Sequence, residues 1–183
     1  MVLRSNIISI GLSLMLLGGC ADMSNADEPA SEVTEKKAQS MFRTLNEKIS
    51  VSPQISLADV ETAKAEGVTL IVNNRPDGED LSAPQSADIE AAAKAAGIDY
   101  VAIPITHSGF SAPQVDAMID SLKNAKGKTL AYCRSGTRST LLWSLAQAKS
   151  GMSAEEIARL AGNAGYDITP VRAMVEAFAA GAQ

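Results

Sequence analysis

The sequence predicts an α/β domain of three layers, with a mostly parallel sheet and helices on both faces. Three observations point there. Short apolar runs of strand length, "VTLIV", "IDYVAIPI" and "TLAYC", alternate with helix-length segments. The helical segments carry capping signals at their starts and glycine at several of their ends. Alanine is abundant while aromatics make up 4%, so the helices should pack closely. With 183 residues, 46% of them hydrophobic, the chain can bury a core of its own. A net charge of -5 with no Lys/Arg cluster argues against nucleic acid as a partner.

The elements follow in order. Residues 1–19 place Arg4 before an apolar run over 7–19. As a helix that run would span roughly 20 Å, short of the roughly 30 Å hydrocarbon layer. It therefore has the character of a secretory signal. Residues 20–44 are polar and weakly patterned, as expected of a tether. The domain is expected over 45–183. "ISVSPQIS" has period-two character and is predicted to be the opening strand. Ser56 and Asp59 form a capping box for a helix ending at Gly67. A strand covers 68–72, a helix about 84–96, and a strand 98–105. Ser111 and Gln114 start the next helix. A strand covers 129–133, and a helix runs over 137–149. Ser153 with Glu156, and Thr169 before Pro170, open two last helices. Met174, Val175, Phe178 and Ala179 supply a packing stripe on the final one, and Leu142 and Trp143 anchor the helix over 137–149.

In parallel sheets ligands bind beyond the carboxyl ends of the strands. Three loops leave those ends: "NNRPDGED", "THSGFS" and "CRSGTRS". They are predicted to meet.

The last of these carries the chemistry. Cys133 closes a strand, and a helix begins near Arg138. Arg134, Ser135, Gly136 and Thr137 must turn tightly between them, and Gly136 permits a backbone angle that a side chain would resist. Such a turn aims N–H groups inward as an anion nest. The first helical turn adds unpaired N–H groups and a positive dipole end. Cations and a helix N-terminus can lower a cysteine pKa to roughly 3.5–7.5. Arg138 is expected to fork onto an oxyanion, and Ser139 to donate to the sulfur. The bland alternative makes Cys133 a small buried hydrophobe. His107, the one histidine, stands in "THSGFS" as a candidate acid or anion ligand against an ordinary loop residue. Arg75 and Asp77 belong to a turn signature and are candidates for the rim, and Asp77 is also a candidate acid. No metal or other cofactor is called for, since no ligand cluster accompanies Cys133 and His107.

"LLGGC" resembles the lipobox of bacterial lipoproteins. The resemblance implies cleavage before Cys20, lipidation of its sulfur, and anchoring in the cell envelope facing the periplasm. Ala21 points to the outer membrane. Ordinary cleavage near Ala21, releasing the protein, is the other outcome. With Cys20 lipidated, Cys133 has no partner for a disulfide.

"YCRSGTRS" resembles the active-site loop of rhodanese sulfurtransferases, whose nucleophile carries a persulfide. The wider arrangement resembles the cysteine phosphatase fold, in which five residues separate Cys from Arg; here four do. "NRPDGE", "CRSGTRS" and "AGYDI" together resemble the beta-lactamase hydrolase-like, phosphatase-like domain family, also described as a sulfurtransferase family. Relatives occur fused to sulfur dioxygenases of the metallo-beta-lactamase type. The resemblance implies a thiolate nucleophile and a small anionic substrate. The short ring, and a loop after "VAIPI" that lacks the expected aspartate, favour sulfur transfer through a Cys133 persulfide. The alternatives are a phosphatase working through phosphocysteine, and an envelope lipoprotein that binds an anion without turnover.

Overall fold

The structure, a computed structural model, describes residues 41–182. The expected signal segment, most of the tether and Cys20 lie outside the described residues. Among the described residues no helix is long and apolar enough to cross a membrane.

A five-stranded sheet runs in the order β1-β2-β5-β3-β4. The strands are β1 (Arg43–Asn46), β2 (Ile49–Ser52), β3 (Val68–Asn73), β4 (Asp99–Ala102) and β5 (Lys128–Tyr132). β1 pairs antiparallel with β2, and every other pairing is parallel. The helices are α1 (Leu57–Ala65), α2 (Ser86–Ala96), α3 (Ala112–Asn124), α4 (Thr137–Lys149), α5 (Ala154–Asn163) and α6 (Arg172–Gly181). A short 3-10 turn, Thr169–Val171, leads into α6.

Strand pairing explains where each apolar face goes. Val51 and Ala131 pair across β2 and β5 and face one core, with Trp143, Leu142 and Ile157 among its buried residues. Their neighbours Leu130 and Tyr132 alternate to the opposite face and join Val60, Ile89 and Ala93 from α1 and α2. The sheet thus has helices on both faces, as the continuous apolar strands predict. Helix α4 is buried along almost its whole length, from Ser139 through Ala146. A helix enclosed in this way holds its N-terminus in a fixed direction, and that terminus carries the CRSGTRS loop.

Ser56 and Asp59 form the expected capping box, with the Ser56 amide donating to Asp59 Oδ2 at 2.7 Å. The Ser111 amide likewise donates to Gln114 Oε1 at 2.8 Å. Three differences from the sequence reading have physical causes. Strand β1 begins at Arg43, inside the stretch read as tether, because its alternation is too short to stand out until β2 pairs with it. Regular strand ends at Ala102, not 105, although Ile103 and Ile105 still donate to the carbonyls of Asn73 and Asn74. Met174 is 41% exposed, so the α6 stripe runs through Val175, Phe178 and Ala179 only.

Candidate active site

Parallel β2, β3, β4 and β5 all deliver their following loops to one edge of the sheet. The three predicted loops do meet there. Cys133 follows β5, between the ends of β2 and β3: its amide donates to Ser52 O at 3.4 Å, and the Asn74 amide donates to Tyr132 O at 2.8 Å. The sulfur has no exposed surface, as the bland reading required, yet it accepts the Gly136 N–H at 3.2 Å. Cys133 therefore sits as deep as a core residue and faces a polar loop.

Gly136 takes φ 87° and precedes the first residue of α4. This left-handed angle reverses the chain so that the Gly136 amide turns back onto the sulfur. The Gly136 carbonyl accepts both the amide and the hydroxyl of Thr140, each at 3.0 Å, and so starts the helix. Ser135 Oγ donates to Thr137 Oγ1 at 3.2 Å, across the exposed side of the loop. The Arg134 side chain is exposed, while its carbonyl accepts the Gln54 amide at 3.4 Å.

Arg138 spans all three loops. Its Nη1 donates to Glu79 Oε1 at 2.8 Å and to Ile105 O at 2.7 Å, and its Nη2 donates to Glu79 Oε2 at 2.8 Å. A guanidinium has five N–H donors, so Nε–H and one Nη2–H remain, side by side on one edge of the plane. That edge keeps two donors for an anion and lies within the influence of the Cys133 sulfur. Burial works against the charge on Arg138, but the Glu79 hydrogen bond and the nearby Cys133 sulfur outweigh it and hold the guanidinium proton more firmly than usual.

Glu79 is the organising anion of the site. Hydrogen bonds from Arg138 hold its carboxyl below the usual range, against the opposing effect of burial, and Arg75 adds to the depression. Arg75 is not at a rim. It is 8% exposed, donates from Nε to Glu79 Oε2 at 2.9 Å and from Nη1 to Gln54 Oε1 at 2.7 Å, and so joins the loops after β2 and β3 from behind. A turn signature cannot foretell this, because the partners come from distant segments.

Other expected residues stand elsewhere. Asp77 is exposed and accepts the Ser86 amide at 2.7 Å, so it serves the start of α2. His107 lies on an exposed turn and makes no hydrogen bond or ion pair. Ser139 is fully buried, but its hydroxyl has no partner and does not donate to the sulfur as the sequence reading expected. It is carried on the buried face of α4, whose course is set by core packing. Two residues that the sequence reading left out of the site belong in it. Glu79 was legible only as part of "NRPDGE", and Tyr166 only as part of a turn. The Tyr166 hydroxyl donates to Ser135 O at 3.3 Å.

An α/β domain with a cysteine at the end of a central parallel strand, followed by a turn whose Gly136 N–H faces the sulfur, a helix and an arginine, is of the cysteine phosphatase-like class. The comparisons agree. The family described as "Beta-lactamase hydrolase-like protein, phosphatase-like domain" matches residues 41–150, and the chain belongs to this family. The matched span includes NRPDGE and CRSGTRS; AGYDI lies beyond it. The beta-lactamase hydrolase-like protein of Agrobacterium fabrum is 34% identical over 107 residues, which are 58% of this chain and 25% of that protein. The chain thus spans about a quarter of the length of this relative. A candidate phosphatase of Neisseria meningitidis is 33% identical with a TM-score of 0.67, covering 76% of this chain and 99% of that one. Tk-PTP, solved in its active form, has a TM-score of 0.61 at 15% identity, with 76% and 97% covered, and shares the fold.

Proposed function

We propose that this domain is a cysteine-dependent hydrolase of the phosphatase class, acting on a small phosphoester with Cys133 as nucleophile. The observation that carries the reading is a sulfur that accepts the Gly136 N–H and interacts with Arg138, whose guanidinium end is held by Glu79. The thiolate attacks phosphorus, an S–P bond forms, and the P–O bond to the leaving group breaks. The leaving oxygen takes a proton from water. A second water then hydrolyses the phosphocysteine, releasing phosphate and restoring the thiolate. The remaining donor edge of Arg138 and the Gly136 N–H hold the charge that develops on the equatorial oxygens. Because the sulfur has no exposed surface, the loop must part for a substrate to reach it.

Sulfur transfer is the second reading, and a specific observation favours it. Four residues separate Cys133 from Arg138, which makes a ring smaller than the phosphatase loop. The Cys133 thiolate would attack the sulfane sulfur of a donor such as thiosulfate, an S–S bond to Cys133 forming as the donor's S–S bond breaks and sulfite leaves, an anion that needs no acid. The proposal extends to location: "LLGGC" supports a lipid anchor at Cys20 and an envelope position. A Cys20→Ser change should release the protein from the membrane fraction.

The test sets purified protein against p-nitrophenyl phosphate, and separately against thiosulfate with a thiol acceptor. Hydrolysis lost in Cys133→Ser supports the phosphatase. Sulfur transfer without hydrolysis establishes the second reading instead. Inactivity toward both donors, with Cys133 alkylation unaffected by phosphate or thiosulfate, removes the enzyme reading.

A further inference from the structure

The 151–182 segment lies beyond the span matched by the family, yet it touches the loop at its most constrained point. Tyr166, in the turn after α5, sets its hydroxyl against Ser135 O at 3.3 Å. A Cβ built on Gly136 would stand 2.0 Å from the same hydroxyl oxygen and 2.7 Å from Cζ, so the ring fills the space that any side chain at 136 would need. The Arg43 guanidinium lies over the ring, 5.2 Å from the centroid. Arg43 Nη1 also donates to Ala164 O at 3.5 Å, tying strand β1 to the turn that carries Tyr166.

The Ser135 carbonyl and the Gly136 amide belong to one peptide unit. A trans peptide is planar, and its C=O and N–H point in opposite directions. The carbonyl is held outward by Tyr166 and the amide points inward at Cys133 Sγ. We infer that Tyr166 is a positioning residue: its hydroxyl fixes the rotation of the 135–136 peptide and so keeps the Gly136 N–H aimed at the sulfur. Without that bond the peptide is free to flip, which would turn a carbonyl oxygen toward the sulfur and set lone pair against lone pair. Gly136 serves the same device, since its missing Cβ admits the tyrosine.

The inference rests on Cys133 being the working sulfur, and its test is readable without turnover. Tyr166→Phe keeps the ring and its cation contact and removes only the hydroxyl. Gly136 amide hydrogen exchange, followed by NMR, should quicken by about three- to tenfold, the equivalent of one hydrogen bond. Iodoacetamide should alkylate Cys133 more slowly by a similar factor. Where the parent hydrolyses p-nitrophenyl phosphate, kcat should fall while KM stays within about twofold, a split that general loosening would not give. Unchanged Gly136 exchange and unchanged alkylation in a folded Tyr166→Phe overturn the inference. Should the variant fail to fold, the unaltered protein still decides: a fast-exchanging Gly136 amide there removes the geometry the inference needs. Loss of catalysis in the parent itself, with Gly136 protected, counts against the enzyme reading and leaves the positioning intact.

Discussion

Glu79 grips Arg138 with both carboxylate oxygens, at 2.8 Å to Nη1 and 2.8 Å to Nη2, across 59 residues of sequence. The end of the guanidinium is therefore occupied by a protein anion, and its side edge is what remains for a substrate. Glu79 Oε2 also accepts from Arg75 Nε at 2.9 Å, so the two arginines share one carboxylate. Such bidentate, charge-assisted pairs hold direction as well as charge.

Glu79→Gln should leave Arg138 without its fixed bearing. Activity is expected to fall by about tenfold or more, and stability by about 1–3 kcal/mol, the usual cost of breaking a hydrogen-bonded, partly buried charge pair. Steady-state rates together with urea midpoints check this. A variant with full activity would show that the guanidinium needs no anchor.

The same pair sets a pH dependence. The Glu79 carboxyl is depressed from an ordinary 4.5 by its bonds to Arg138. A depressed acid contributes stability that is fully present above its unfolded value and is lost as pH falls through the folded one. The stability gap between parent and Glu79→Gln should be constant at neutral pH, begin to narrow below about 4.5, and continue to shrink under it. Urea melts at a series of pH values measure the gap. A gap that widens in acid would contradict the pairing.

Gly136→Ala should be costly for two reasons that add. Its φ of 87° is strained for any residue with a side chain, and the new methyl would meet the Tyr166 hydroxyl. A loss of about 2 kcal/mol or more is expected, with Cys133 chemistry abolished. Thermal melts and alkylation rates report the two effects separately.

Asp77 and His107 should prove dispensable for proton transfer. Asp77 is spent on the Ser86 amide, and His107 stands on an exposed turn without a partner. Asp77→Asn and His107→Ala are each expected to keep kcat within about threefold, since a true general acid is worth roughly a hundredfold or more. Without an acid, rates should depend steeply on the leaving group, and p-nitrophenyl phosphate should outrun phenyl phosphate by about a hundredfold. A hundredfold loss in either variant would identify the acid.

The residues alone determined a good deal. Apolar run lengths and capping pairs such as Ser56 with Asp59 laid out the alternation of strand and helix, because they are local properties of a few neighbouring side chains. Parallel strand order then required the loops carrying Arg75, His107 and Cys133 to gather at one edge. The position of Cys133 before a glycine and a helix start was enough to mark the loop. What needed the tertiary structure was which groups meet there. Glu79, not a substrate, holds the end of Arg138, and Arg75 turns inward to clamp loops. Ser139 follows the packing of α4 and leaves the sulfur alone, while Tyr166 arrives from a segment 33 residues past Cys133 to brace the turn. Pairings of this kind join segments far apart in the chain, and their directions come from how the layers pack, so no periodicity or short motif encodes them.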